Sequence, residues 1–513
     1  MIRFGLALLA ATQLAVAATD KVELQEQLIF NTHKGAGLPG ALDTSFGTGG
    51  RLTIAVDPAP TSEDHAIIAA PRASGGYMIY GFLPSTGDIV VNARTDTGAV
   101  DTSFGINGRV VYDRQFLTVE AATIDSQGRV VIVGNSREPG SPSNDFDPYV
   151  CRFTAGGFQD TAFGGVSACV LYPVDIIANG FDYATSVATD AGFVYVAGQM
   201  QRDTIDDYDF LVLKIRASDG TLMTSFDGDG MLFIPFDVNA SEPGGDIDAA
   251  LAIARDGDTG LYIAGLADND GDFDNDWAIA KVDIFSGAYA TNFCPDQTAC
   301  PGSERLAGRR HLPIITTFGE NSEQIQALAL AADGNLLMAI QRGTQVNGNP
   351  FNQIETLKID RSSGASIVGQ RDTRTYLRYA SVNDMVVDAS GNVLLSGITS
   401  QTLGQFGVDP ARVIFVTRLT PTLDGDNSFA TALGGGPSPT TLIDFPRSPS
   451  STLLDHGSEE LVLDASGRIV VAGSRLWRRD VPANIFDYDH AVFRLNGGSA
   501  APAGPNIFAN GFE

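Results

Sequence analysis

Residues 42–50 read LDTSFGTGG and residues 100–108 read VDTSFGING, each followed by Arg and an apolar run, GRLTIAV and GRVVYD. A phrase written twice marks an internal repeat. Repeats of this length mean that one supersecondary unit is stacked many times over. The phrase recurs in decaying form as DTAFG (160–164), MTSFDG (223–228), TNFC (291–294) and SFAT (428–431), with a weaker candidate at 366–377.

A second phrase keeps the same rhythm, a polar turn followed by a short apolar strand. It reads ASGGYMIYG (73–81), SQGRVVIVG (126–134), DAGFVYVAG (190–198), DTGLYIAG (258–265), ADGNLLMAI (332–340), ASGNVLLSG (389–397) and ASGRIVVAG (465–473). An Ala-rich strand precedes the turn, as in AIIAA (66–70), ALAIA (250–254) and ALALA (327–331). Ala at these places suits a crowded position near a central axis. Another strand follows the turn, as in YVCRF (149–153), FLVLKI (210–215), WAIAKV (277–282), VIFVTRL (413–419) and AVFRL (491–495). With the apolar tail of the first phrase, each unit has four strands. Seven such units predict an all-β chain: a seven-bladed β-propeller with four antiparallel strands per blade. A parallel β-helix has coils too short to place one hairpin turn per unit of this length.

The chain begins with the first phrase and ends, after AVFRLNGG (491–498), on a linker. The last unit therefore lacks an outer strand, and 42–56 is expected to complete it, since an open edge would invite aggregation. The organisation predicted is a signal peptide at 1–17, a dispensable lead at 18–41, the propeller at 42–498 and a linker and tail at 499–513.

These residues resemble the delta-60 repeat, a β-propeller repeat of bacterial secreted proteins, over about 42–498. The resemblance lies in LDTSFG followed by GRV, in SQGRVVIVG and in DFDPYVCRF. It implies the propeller fold and export. It implies no reaction. The terminal PNIFANGFE resembles a short tag on exported proteins of some Gram-negative bacteria.

Composition agrees with an exported β protein. Hydrophobic residues make up 43%, and 57 Gly and 24 Pro punctuate short apolar runs. Arg3, the apolar stretch Phe4 to Leu14 and the A-x-A of Ala15 to Ala17 form a secretory signal pattern. No later run reaches the roughly 20 apolar residues that span a bilayer, so no membrane insertion is expected. Asp and Glu number 61 against 33 Lys and Arg, for a formal charge of −28. Such a surface repels phosphate backbones, and no basic stripe offsets it, so nucleic acid is excluded as a partner. In an oxidising compartment the four cysteines are expected to pair locally, Cys151 with Cys169 and Cys294 with Cys300.

Three groups of residues carry candidate chemistry. Acidic phrases precede the third strand of several units: NDFD (144–147), DDYD (206–209), DNDGDFDND (268–276) and FDYD (486–489). Among them Asp268, Asp270, Asp272, Asp274 and Asp276 alternate around Gly271, an oxygen density suited to Ca²⁺. That loop is not an EF-hand, because no Glu closes it. Three of the five histidines follow Asp, at Asp64-His65, Asp455-His456 and Asp489-His490, in units that a closed ring makes neighbours. Basic residues gather in GRRH (308–311) and RLWRRD (475–480). There Arg475, Arg478 and Arg479 around Trp477 suit a carboxylate or sugar.

No nucleophile elbow, zincin motif or phosphate loop is present. The sequence thus predicts a secreted or periplasmic, monomeric binding or interaction module for an unidentified protein or glycan, with Ca²⁺ as a candidate stabiliser. The ligand is expected at the rim formed by the loops between second and third strands. The competing reading is a hydrolase or lyase of glycans or lactones at the channel mouth. A scaffold without any small ligand is the third.

Overall fold

The computed structural model describes residues 22–24, 38–56, 64–142, 145–174, 176–178, 180–202, 207–236, 247–267, 276–295, 300, 308–311, 323–346, 349–377, 380–400, 412–431, 437–443, 456–477 and 487–497. They form seven four-stranded antiparallel blades arranged in a ring. The innermost strands, in blade order, are His65–Pro71, Thr118–Ile124, Tyr183–Thr189, Ala249–Asp256, Glu323–Leu330, Ala380–Val387 and His456–Leu463. Besides strands, the described residues contain one 3-10 turn, Gly165–Ser167.

The ring closes as expected. Blade 7 takes its outer strand from the beginning of the chain, where Arg51–Ile54 runs antiparallel to Asp487–Leu495, with Arg51 opposite Phe493 and Ile54 opposite His490. The contact reaches further toward the N-terminus than residue 42. Gly40 N donates to Asn496 O (2.8 Å), Thr441 Oγ1 donates to Gly40 O (2.8 Å), and Ala41 is buried. Val22–Leu24 also pairs, in parallel, with Thr373–Thr375 on the outer strand of blade 5. That outer strand, Ser366–Leu377, is 12 residues long. It replaces the D-T-S-F-G turn that the other blades place before their outer strand.

The first phrase is a device for joining blades. Asp43 folds back to accept Ser45 N–H (3.0 Å) and Ser45 Oγ–H (2.6 Å), which turns the chain. The turn drives Phe46, fully buried, into the seam with blade 1, edge-on to Tyr77. The residue after the Phe takes a left-handed conformation in five blades: Gly47, Gly105, Gly164, Asp227 and Cys294. In four of these its N–H donates to the next blade, to Thr97 O, Asp219 O, Ser286 O and Ser363 O at 2.8–3.1 Å. This is why Gly dominates the position.

A cation from the third strand completes the joint. Arg152, Lys214, Lys281, Lys358, Arg418 and Arg494 occupy equivalent places, each opposite the residue three before the end of the second phrase. Each donates to a backbone carbonyl in the turn after the third strand of the following blade: Ala217, Ile284, Arg361, Pro421, Gly497 and Asp96 respectively. Where the phrase has Asp, the cation is Arg and also grips that Asp. Arg494 Nε lies 2.9 Å from Asp43, Arg152 Nε 2.8 Å from Asp160, and Arg418 Nε 2.8 Å from Asp426. Where Met223 or Ala290 replaces the Asp, the cation is Lys. A guanidinium serves two partners at once; an ammonium is aimed at one. Blade 1 departs from the rule, with Ala93 in the cation's place opposite Met78. Met78 and Phe104 fill that seam against Gly157, whose carbonyl accepts from Tyr112 Oη (3.1 Å) instead.

The second phrase sets the inner wall. In all seven innermost strands the register slips at the same height, at Ile67, Glu120, Thr185, Leu251, Gln326, Asn383 and the pair Glu459–Glu460. The residue that ends the second phrase pairs just before each slip, and it is Gly in six blades and Ile340 in blade 5. A Cβ at Gly134, Gly198, Gly265 or Gly397 would lie 1.7–2.0 Å from a carbonyl oxygen of the innermost strand. At these four positions glycine therefore admits a carbonyl that a side chain would displace, whereas blade 5 forms the same bulge with Ile340 in place. Gly134→Ala should cost about 2 kcal/mol or more, the scale of an overpacked core. Gly343→Ala, where a Cβ meets nothing within 4 Å, should be near neutral. Urea melts of the two variants check this, and equal midpoints would overturn it.

Both disulfides join the expected partners. Cys151 faces Cys169 across the third and outer strands of blade 2, with Cα atoms 4.0 Å apart. Cys294 and Cys300 close a short loop with Cα atoms 5.4 Å apart.

Candidate functional site

A β-bulge leaves one residue unpaired and re-aims its side chain. Here every bulge residue lines the axial channel, where a cavity of about 560 Å³ opens. Its other lining residues come from the starts and middles of the innermost strands and from Phe82, Pro84 and Leu117. The cavity thus occupies the half of the channel toward the loops that join second to third strands, the face on which the sequence places its acidic phrases.

The lining is two-sided. Blades 4 and 5 present Leu251, Ala252, Ala327 and Leu328, while blades 2, 6 and 7 present Glu120, Asp384, Glu459 and Glu460. Asp384 is buried and accepts the N–H groups of Leu461 (2.8 Å) and Met385 (2.7 Å). Glu460 accepts Ala122 N–H from blade 2 (3.3 Å). Burial first, and then the charge of Asp384, push the Glu460 carboxyl well above its usual range, so it holds the proton and donates to Asp384. That pair is a clasp across blades 6, 7 and 2. Glu459 is the acid left facing the cavity. Burial raises its carboxyl to about 7, and the negative charge of Glu120 adds to the shift. Glu120 is also raised by burial, opposed by hydrogen bonds from Thr118 and Asn135. Asn135 is fully buried and locked by Ala184, accepting its N–H (2.8 Å) and donating to its carbonyl (3.4 Å). It fixes the direction of Glu120 from behind.

Asp268, Asp270, Asp272 and Asp274 lie outside the described residues. Asp276 opens the third strand of blade 4, opposite Ala267 and half-buried. Other acids of these phrases are structural. Asp147 is buried and accepts Val174 N–H (2.9 Å), and Asp209 is buried beside Arg202. Arg475 sits mid-sheet in blade 7, donating to Thr53 Oγ1 of the ring-closing strand (3.4 Å). Trp477 ends the same strand, and Arg478 and Arg479 lie outside the described residues. Arg310, from the other basic phrase, is buried over Trp277 and donates to Gly364 O (2.9 Å). It is a blade-to-blade contact rather than a ligand site. The Asp-His pairs at 64–65 and 489–490 do become neighbours, but they separate by role. His65 lines the channel, while His490 is wholly buried behind it. Among the described residues, no three His, Cys, Asp or Glu side chains are placed to hold a metal ion. No described helix is long and apolar enough to cross a membrane.

The sequence reading passed over the channel acids. The signal was available, because Glu120, Glu459 and Glu460 stand in the strand before the second phrase, where the other units carry the uncharged Ile67, Thr185, Leu251, Gln326 and Asn383. An acid within a strand aimed at the axis costs desolvation, which marks a site.

The fold and this site define the chain as an all-β propeller with an acid-lined axial cavity. No family model and no curated protein sequence matches it. Among solved structures it is similar to a protein of unknown function from Dyadobacter fermentans, with 11% identity over 75% of this chain and 96% of that one, at a TM-score of 0.39. It is also similar to a subtype N11 neuraminidase-like protein of A/flat-faced bat/Peru, with 9% identity over 93% and 98% of the chains, at 0.38. A third is Drosophila Plexin A in complex with Semaphorin 1b, with 11% identity over 91% and 88%, at 0.32. Scores this low carry no argument about function, and the blade count rests on the strand pairings above.

The raised Glu459 carboxyl has a consequence for stability. Its folded pKa lies above the unfolded value of about 4.3, so the folded state binds the proton more tightly. Its cost is absent below the unfolded pKa and grows as pH rises through about 7. Glu459→Gln should match the wild type in Tm at pH 4 and exceed it at pH 8. Thermal melts at the two values check this, and an equal Tm at pH 8 would remove the burial argument.

Proposed function

We propose that the protein is an exported propeller binding module whose axial cavity takes the amine-bearing end of a glycan or peptide ligand. The observation that carries the reading is the pair Glu459 and Glu120, which face one cavity with an apolar wall opposite. An ammonium group would relieve their mutual repulsion and donate hydrogen bonds to both carboxylates, while its carbon skeleton packs on Leu251, Ala327 and Leu328. The volume falls within the ~300–1,000 Å³ of small-ligand sites. The two disulfides and the secretory pattern at residues 1–17 support export. The delta-60 resemblance supports it as well.

The test is calorimetric titration of the mature chain with glucosamine, spermidine and a short lysine peptide, each against its neutral counterpart. Amine probes should bind at least about tenfold more tightly, the ratio of one modest charge interaction. Glu120→Gln with Glu459→Gln should abolish the difference. Equal binding of neutral probes, or no heat from any amine, defeats the reading. The source of the amine follows from which probe binds.

One feature favours the hydrolase or lyase reading as second. Glu459 is held near neutrality beside a second acid, and two carboxyls in unequal environments are the usual equipment of acid–base chemistry. Turnover of a glycan or lactone that disappears in Glu459→Gln would establish it. The loop from Asp268 to Asp276 is proposed as a Ca²⁺ site on its spacing alone. Calcium added to EDTA-stripped protein should release heat and raise Tm, and silence on both counts removes it.

A further inference from the structure

The seam between blades 7 and 1 is rich in hydrogen-bond donors and short of acceptors. Asn92, on the third strand of blade 1, uses its Oδ1 to accept Arg109 Nε (2.8 Å), which fixes the amide and turns Nδ2 away. That Nδ2 is buried and has no partner. Arg94 stands two residues on, on the same face of the same strand. It is 8% exposed, and its Nε has no partner either. Across the seam, His490 is 0% exposed, with both ring nitrogens unpartnered. Its ring fills the space over Gly81, where a Cβ would fall 1.9 Å from Cε1.

The neighbouring charges are accounted for. Arg109 donates to Ala55 O (2.9 Å) and Val56 O (3.1 Å), and Asp64 supports its charge. Further along the seam, Tyr77 Oη donates to Asp464 Oδ2 (2.7 Å) and accepts from Arg494 Nη1 (3.1 Å). Arg94 differs. Burial first, and then the repulsive charge of Arg109, act against its own charge. His65 and Tyr488, tilted rings with centroids 5.8 Å apart, close the side toward the channel. His490 stays neutral, because burial first and then Arg109, His65 and Arg94 hold its pKa at about 3. It therefore offers one N–H donor and no charge.

We propose that this seam binds a small inorganic anion of halide size, held by Asn92 Nδ2, Arg94 Nε and a ring N–H of His490. Unmet donors beside an unbalanced buried cation call for an acceptor that carries charge. A water molecule supplies the acceptor but not the charge. The anion would stand in the seam where the first and last parts of the chain meet, and so would staple the closure of the ring.

The test uses the mature full-length chain. Melts are recorded at constant sodium and constant ionic strength while gluconate is exchanged for chloride or bromide, which separates a site from general screening on a chain of charge −28. Tm should rise with halide and saturate in the millimolar range. Arg94→Met should flatten that response. Should the variant fail to fold, crystals of the unaltered chain grown in bromide decide the matter: an anomalous peak between Asn92, Arg94 and His490 supports the site. A Tm indifferent to halide, an unchanged response in Arg94→Met, or a water-like peak without anomalous signal overturns it.

Discussion

A buried cation handed from one blade to the carbonyls of the next holds this ring together. Burying an ammonium or guanidinium without partners is costly, so each of the six cations works only if the neighbouring blade brings its turn into place. The ring is thereby made cooperative: displacing one blade orphans a charge in the blade before it. The Asp of the D-T-S-F-G phrase adds a second anchor where the cation is Arg, and the buried Phe lies against the same guanidinium, at 4.7 Å from ring to Arg494 and 4.8 Å to Arg152. Turn, ion pair and ring contact are one unit. It explains why the phrase decays as a whole, losing its Asp in the blades that carry Lys.

The same economy shapes the channel. In most blades glycine at the end of the second phrase admits a carbonyl that a side chain would displace, and the bulge beside it turns one residue, or two in blade 7, toward the axis. A ring of single positions can then vary without disturbing the sheets. Ile67, Leu251 and Thr185 keep part of the wall neutral, while Glu120 and Glu459 place acids on the rest. Scaffold and site are separable because the scaffold depends on backbone geometry and the site on what the bulge happens to carry.

This separation also decides what was legible in the sequence. Blade count, strand order, ring closure and cysteine pairing follow from local repetition, and repetition is visible in one dimension. The cations were visible too, as the Arg or Lys near the end of YVCRF, FLVLKI, WAIAKV and VIFVTRL, but their role depends on contacts between units. The acidic phrases drew attention because acids cluster there in the chain. Asp147 and Asp209 prove to be spent on holding strand ends. The channel acids were missed for the opposite reason. Glu120 and the pair Glu459–Glu460 stand in strands several hundred residues apart, away from the acidic phrases, and only closure of the ring sets their charges against each other. Arg475 and Arg310 read as exposed loop cations, yet their strands carry them into the sheets.

Blade 1 shows how far the joint can be altered. With Ala93 in place of the cation, the seam to blade 2 is packed by Met78 and Phe104 against Gly157, and Tyr112 adds a hydrogen bond to the Gly157 carbonyl. Asp101, freed of an Arg on its own third strand, pairs with Arg72 at 2.8 Å. The acid left over by the substitution has thus acquired another partner. An apolar seam is therefore an available solution, as expected where well-packed apolar residues can replace a buried ion pair without loss. That six blades keep the cation argues for what it adds beyond energy. Its bond to a single carbonyl sets the height of one blade against the next. A ring of seven units closes only if those heights return to their starting value.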